Sequence, residues 1–116
     1  MIRTAQEMER EIREKMRGGT GLVEIRHIFR EDQLTGKARL FAHLHLPPGA
    51  SIGFHRHEGE EEIFYILSGH GIVDDNGTRR EVAPGDAVLT GGGAGHAIEA
   101  SGDEPLEMVA VILKYS

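Results

Sequence analysis

The residues with the most chemistry to offer lie in "GASIGFHRHEGEEEIFYILSGHG", Gly49 to Gly71. His55 and His57 stand one residue apart, and residues two apart on a strand project to the same side. Two imidazoles therefore aim at one point while Arg56 faces away. The "EGEE" that follows is long enough for a turn, so Glu62 opens the next strand and faces the same point from beside it. Glu61 is its rival for that role. Far downstream, "PGDAVLTGGGAGHAI" brings in His96 after a glycine-rich turn, at the start of an apolar segment. Three neutral imidazoles and a carboxylate make a mixed nitrogen and oxygen donor set. Such a set suits manganese, iron, cobalt or nickel in octahedral geometry, and also zinc or copper. With a divalent ion the net charge is about +1, and an octahedral ion keeps about two positions open, which invites a small, anionic, bidentate molecule. The competing reading is a solvated acidic turn, which Glu58, Glu60 and Glu61 fit.

Such a site needs strands to aim it. "LVEIRHIF" and "RLFAHLHL" alternate or run apolar over strand-sized lengths, and Pro47, Pro48 and Gly49 end the second. "EIFYILSG" is nearly all apolar and reads as a strand buried on both faces. "GIVDDNGTRREV" is a hairpin around Asn76-Gly77, a dipeptide that tolerates positive φ at both central turn positions. "DAVLT" and "LEMVAVILKY" complete an all-β pattern with regularly spaced turn signals, that of a sandwich or barrel. Ahead of the strands, Thr4 to about Met16 reads as a short helix. Thr4 and Glu7 have capping-box spacing, Met8, Ile12 and Met16 recur every fourth residue, and Gly18 and Gly19 stop it. Residues 1–20 are thus expected to be a helical arm and residues 21–116 a single domain.

Bulk properties exclude several function classes. The chain has 116 residues, 39% hydrophobic and 28% charged, which suits one small globular domain. A formal net charge of −6 argues against a nucleic-acid partner. No cysteine is present, so neither a disulfide framework nor a thiolate site exists. No apolar run is long enough for a membrane span, and the charged N-terminus has no apolar signal region. A cytoplasmic location is expected.

The spacing of these residues resembles the cupins. Their first motif runs G, five residues, H-x-H, three or four residues, E, six residues, G, and Gly49, His55, His57, Glu62 and Gly69 fit it. Only Glu62 leaves the six-residue gap to Gly69, which favours it over Glu61. Their second motif is matched by Gly85, Gly93 and His96, with Gly91 where proline is usual and Ala100 where asparagine is usual. The resemblance implies a double-stranded β-helix, or jelly-roll barrel, with a metal in its mouth on His55, His57, Glu62 and His96. It further implies a metal-dependent oxidoreductase, dioxygenase or decarboxylase acting on a small carboxylate such as an oxalate-like ligand. The alternative is a cupin that binds or senses a small molecule without catalysis.

A reaction would also need a general acid or base. The candidates are Glu61 and the second H-x-H, His43 and His45, which share one face of a strand. His27 reads as an ordinary strand residue and His70 as a solvated one. Arg39 and Lys37 either greet an anion or sit in an exposed turn. Phe54, Phe64, Tyr65 and Met108 read as core. The small size and the apolar "LEMVAVIL" strand point to a homodimer.

Overall fold

The computed structural model describes residues 1–116. Ten strands run in chain order: β1 Glu9–Glu14, β2 Leu22–His27, β3 Ala38–Leu46, β4 Ser51–Arg56, β5 Glu60–Ser68, β6 His70–Asp75, β7 Thr78–Val82, β8 Ala87–Gly91, β9 Gly95–Ser101 and β10 Leu106–Lys114. They form two antiparallel sheets, a six-stranded one ordered β1-β2-β3-β10-β5-β8 and a four-stranded one ordered β4-β9-β6-β7. The architecture is the all-β jelly roll. Asn76 and Gly77, at φ 49° and 103°, close the β6–β7 hairpin as their dipeptide requires.

The inner faces meet in one core that includes Val23, Ile25, Leu44, Ile52, Phe64, Ile66, Ile98 and Met108. Alternation along β3 is strict: Ala42, Leu44 and Leu46 are buried while His43 and His45 turn outward. In β5, Glu62, Phe64 and Ile66 point in. Tyr65 and Leu67 point out and are 49% and 44% exposed, so β5 is buried on one face only. Phe54 is also exposed, whereas Phe64 and Met108 are core.

The N-terminal arm departs from expectation. Thr4 and Glu7 do bond, Thr4 Oγ1 and N each donating to Glu7 Oε1, but they frame only a single 3-10 turn, Ala5–Glu7. The predicted helix is then replaced by strand β1, which pairs residue for residue with β2 from Glu9↔His27 to Glu14↔Leu22. A short polar helix has little to stabilise it alone, while the open edge of β2 offers a full ladder of backbone partners. The four-residue spacing of Met8, Ile12 and Met16 also satisfies a period of two. Of the three only Ile12 lies in β1, on its outer face and 59% exposed, while Met16, beyond the strand, packs against the core. Glu11 and Arg13 stand opposite Ile25 and Val23, whose side chains are buried, and so take the inner face. Lys15 and Arg17, both at positive φ, turn the chain from β1 to β2.

Candidate metal centre

Both sheets contribute to the site. His55 on β4 pairs across the ladder with His96 on β9, and His57 follows the end of β4. Glu62 comes from β5 on the facing sheet. A bulge between Ile52 and His55 re-aims the end of β4. The side chains of His57, Glu62 and His96 are almost completely buried and that of His55 is 11% exposed. One ligand atom from each of the four lies within 4.8 Å of the others.

The hydrogen-bond pattern fixes how the imidazoles face. His55 Nδ1 donates to the Gly53 carbonyl at 2.7 Å and His57 Nδ1 donates to Glu60 Oε2 at 2.6 Å. Both rings thereby turn a bare Nε2 inward. His96 Nε2 lies 3.1 Å from His57 Nε2, 3.2 Å from His55 Nε2 and 3.0 Å from Glu62 Oε1. The ring of His96 stacks on Phe64, with centroids 4.8 Å apart and planes 10° apart. One proton on His96 Nε2 cannot satisfy two nitrogens and a carboxylate, so lone pairs face one another unless a cation sits among them.

The donor separations suit such a cation. At bonds of roughly 2.1 Å, right-angled donors stand about 3.0 Å apart, opposite donors about 4.2 Å and tetrahedral donors about 3.4 Å. Four of the separations are 2.9 to 3.2 Å, and His55 Nε2 to Glu62 Oε1 is 3.9 Å. All four ligand atoms lie within 4.8 Å of one another, a spread that a single ion can bridge. The four residues therefore fit a divalent transition metal.

Electrostatics around the donors favour the same occupant. Burial alone would raise the Glu62 carboxyl, but the imidazoles of His55, His57 and His96 gathered around it more than offset this and hold it well below the usual carboxylate range. The Glu62 hydrogen bond raises His57 above its ordinary value, with Glu60 adding to the effect, while burial lowers His96. Glu60 is held at about 2, chiefly by Arg39. The Arg39 fork donates to both Glu60 oxygens, at 2.8 and 2.9 Å. Arg39, Glu60 and His57 thus form a chain that orients one ligand from behind.

Sequence reasoning missed most of this support. Glu60 read as part of a solvated turn, yet its side chain is only 15% exposed; the His57-to-Glu60 spacing of three was the available signal. Arg39 lies on β3, not in a turn, and faces the cavity. Lys37 is tied to the Tyr115 carbonyl. His27 is buried and bonds Glu11 at 2.7 Å, inside the same cavity. The proposed acids and bases lie elsewhere. His43 and His45 sit on the outer face, both directed at Glu107, and Glu61 packs beside Gly91, whose missing side chain leaves it room. None of the three lines the cavity, and His70 is exposed as expected. Gly91 is closely packed, since a Cβ there would meet Glu61 Cβ at 2.6 Å.

The cavity over the donors holds about 80 Å³ and is lined by His55, His57 and Glu62 below and by the β1–β2 hairpin above. A wider surface depression of about 700 Å³ lies apart from these residues and is lined by Glu81, Asp86, Asp103 and Glu104. It contains no candidate ligand and does not reach the donors.

The family model described as "Cupin domain" matches residues 42–112, a span that contains all four donors. The chain belongs to the cupin family. It is 45% identical over 113 residues to an "Oxalate-binding protein" of Thermotoga maritima, covering 97% of this chain and 93% of that one. Among solved structures it is similar to a Thermotoga maritima protein described as a predicted oxalate decarboxylase, with TM-score 0.94 and 45% identity over 98% of this chain and 99% of the other. The polyketide cyclase RemF of Streptomyces resistomycificus, at 19% identity and TM-score 0.78 over 100% of this chain and 80% of its own, shares the fold alone.

Proposed function

We propose that this cupin binds oxalate or a closely similar small dicarboxylate on a divalent first-row metal held by His55, His57, Glu62 and His96. The observation that carries the reading is the convergence of four donor atoms, three of them from residues that line a cavity of about 80 Å³. Ordinary ligand pockets hold roughly 300 to 1,000 Å³, and a water takes about 30 Å³. The guest is therefore only a few heavy atoms in size. An ion held by these four residues would supply Lewis acidity toward the oxygens of the guest. The 45% identical oxalate-binding relative supports the same ligand class.

Catalysis is a second reading, and one observation favours it. His27 and Glu11 line the cavity as a hydrogen-bonded pair, within the same enclosure as the ligand. Decarboxylation of a dicarboxylate breaks one carbon–carbon bond, releases carbon dioxide and needs a proton on the remaining carbon. His27 is the group in that enclosure able to deliver it. In this reading the protein is a lyase or oxidoreductase, and as a cytoplasmic protein its metal would be manganese, iron, cobalt, nickel or zinc.

The deciding experiment measures metal per chain by plasma mass spectrometry, then titrates oxalate into the loaded protein calorimetrically. About one metal per chain and saturable oxalate binding, both lost in His96→Ala, are expected. A metal-free protein after incubation with manganese, iron, nickel and zinc would end the proposal. Carbon-13 oxalate followed by NMR separates the two readings: formate appearing with loaded wild type, and not with His27→Gln, marks catalysis.

A further inference from the structure

Half of the cavity wall lies outside the span that matches the family model. The donors are within residues 42–112, but Glu11, Arg13, Met16, Arg17 and His27 precede it and belong to the β1–β2 hairpin. The hairpin is seated firmly. A Cβ on Gly53 would lie 2.1 Å from the Arg17 carbonyl oxygen, and one on Gly19 would lie 2.2 Å from that of Ser51. Two glycines thus allow the turn to rest directly on β4, next to His55.

Arg13 is built into this wall. Its inner-face position is set by its register with buried Val23. Its Nε donates to Glu11 Oε2 at 3.0 Å, and the other Glu11 oxygen takes the bond from His27 at 2.7 Å. The His27 hydrogen bond, the largest influence on Glu11, lowers its carboxyl below the usual range, so Glu11 stays anionic beside the guanidinium. A guanidinium anchored through Nε keeps its Nη edge for a second acceptor, and that edge suits the two oxygens of a carboxylate.

Charge complementarity agrees. Glu11 offsets Arg13, Glu60 offsets Arg39, and Glu62 offsets half of a divalent ion. With Arg17 unpaired at the rim, about two positive charges remain, which matches a dianion.

We propose that the β1–β2 hairpin selects the ligand, with Arg13 receiving the outer oxygens of a metal-bound dianion across from His55, His57 and Glu62. The inference rests on the anion-binding reading above and assigns its charge selectivity to a residue outside the metal motif.

The test compares manganese-loaded wild type, Arg13→Gln and Arg13→Lys by calorimetry, with oxalate and with oxamate, in which an uncharged amide replaces one carboxylate. Arg13→Gln should weaken oxalate about 10-fold, the lower end for a charge-assisted pair because Arg13 is half exposed. Oxamate should weaken by less than about 3-fold, and Arg13→Lys should recover part of the oxalate loss. Metal content should stay at one per chain in all three. An oxalate Kd unchanged within about 2-fold in Arg13→Gln overturns the assignment, as does an equal loss for both ligands, which would mark a merely structural residue. Loss of metal in Arg13→Gln overturns it too. A wild-type protein that holds metal but ignores oxalate would sink the underlying reading instead, before any variant is made.

Discussion

Glu60→Gln tests whether the residues behind the donors tune the site. Glu60 accepts the His57 Nδ1 proton at 2.6 Å and two bonds from Arg39 at 2.8 and 2.9 Å. Glutamine keeps the shape but has one acceptor oxygen and turns an NH2 group toward a donor. One hydrogen bond is lost, and His57 loses the anion that fixes its tautomer and raises its basicity. Outer-shell changes of this kind cost about 10- to 100-fold in metal affinity, roughly 1.4 to 2.7 kcal/mol. The metal-free fold should also lose about 1 to 2 kcal/mol, a value discounted for partial solvent access to the pair.

The pH dependence of that loss follows from Glu60 itself. Its folded pKa is depressed from 4.5 to about 2, so its contribution is fully present above the unfolded value and disappears as pH falls toward about 2. Urea unfolding of metal-free wild type and Glu60→Gln should differ at pH 7 and converge with acidification. Metal affinity is read by competition with a chromophoric chelator. If Glu60→Gln binds metal within about twofold of wild type, the Arg39–Glu60–His57 chain does not support the site and the reasoning fails.

Four further outcomes are expected. Because the donors come from both sheets, metal binding should stabilise the fold by RT ln(1 + [M]/Kd), about 2.7 kcal/mol at one hundred times Kd. That is a rise in Tm of roughly 10 °C for a chain of this size, absent in His96→Ala by differential scanning fluorimetry. His57 is raised by its Glu62 hydrogen bond, so its proton stabilises the metal-free fold below the unfolded value and is lost as pH rises through the folded one. Metal must displace that proton; apparent affinity measured against a chelator should climb with pH through this window, and a flat profile would contradict it. Gly53→Ala should push the β1–β2 turn off β4 and raise the oxalate Kd severalfold with metal content intact, checked by calorimetry and mass spectrometry. Finally, Ile63, Tyr65 and Leu67 on β5, beside Leu89 on β8, leave an apolar outer face that a second copy of the chain would cover. Light scattering should give a dimer at micromolar protein and a monomer for Tyr65→Glu, and a wild-type monomer would refute this.

The donor set was legible because its signal is local. His55 and His57 share a strand face by spacing alone, and the turn after them fixes where Glu62 enters β5. His96 needed the second glycine-rich turn as a marker, since its partner across the ladder is 41 residues away. Strands β2 through β8 and β10 were legible for the same local reasons, whereas β9 read only as an apolar segment behind that turn. What failed was long-range. The segment 9–14 carries a pattern compatible with helix or strand, and only the vacant edge of β2 decides between them. The alternation of β3 placed His43 and His45 on one face, but which face is core depends on Ala42, Leu44 and Leu46 meeting the opposite sheet. Glu60 looks like its solvated neighbours until Arg39, from another strand, is brought against it.

These failures share a cause with physical content for function. The four candidate donors are specified by contacts within a contiguous motif and one strand pairing. The hairpin residues above them reach the cavity through the sheet edge: Glu11 and Arg13 by pairing with β2, His27 by bonding Glu11, Arg17 by resting on Gly53. Substitution in the hairpin can therefore change the size and charge of the guest while the donor atoms keep their separations. Conversely, β1 is an edge strand whose other side is unpaired, dense in Glu9, Arg10, Glu11, Arg13 and Glu14. Charges on an edge discourage pairing with other chains. On this edge the outward charges serve that purpose while the inward ones, Glu11 and Arg13, face the cavity, so one short polar strand both protects the sheet and closes the site.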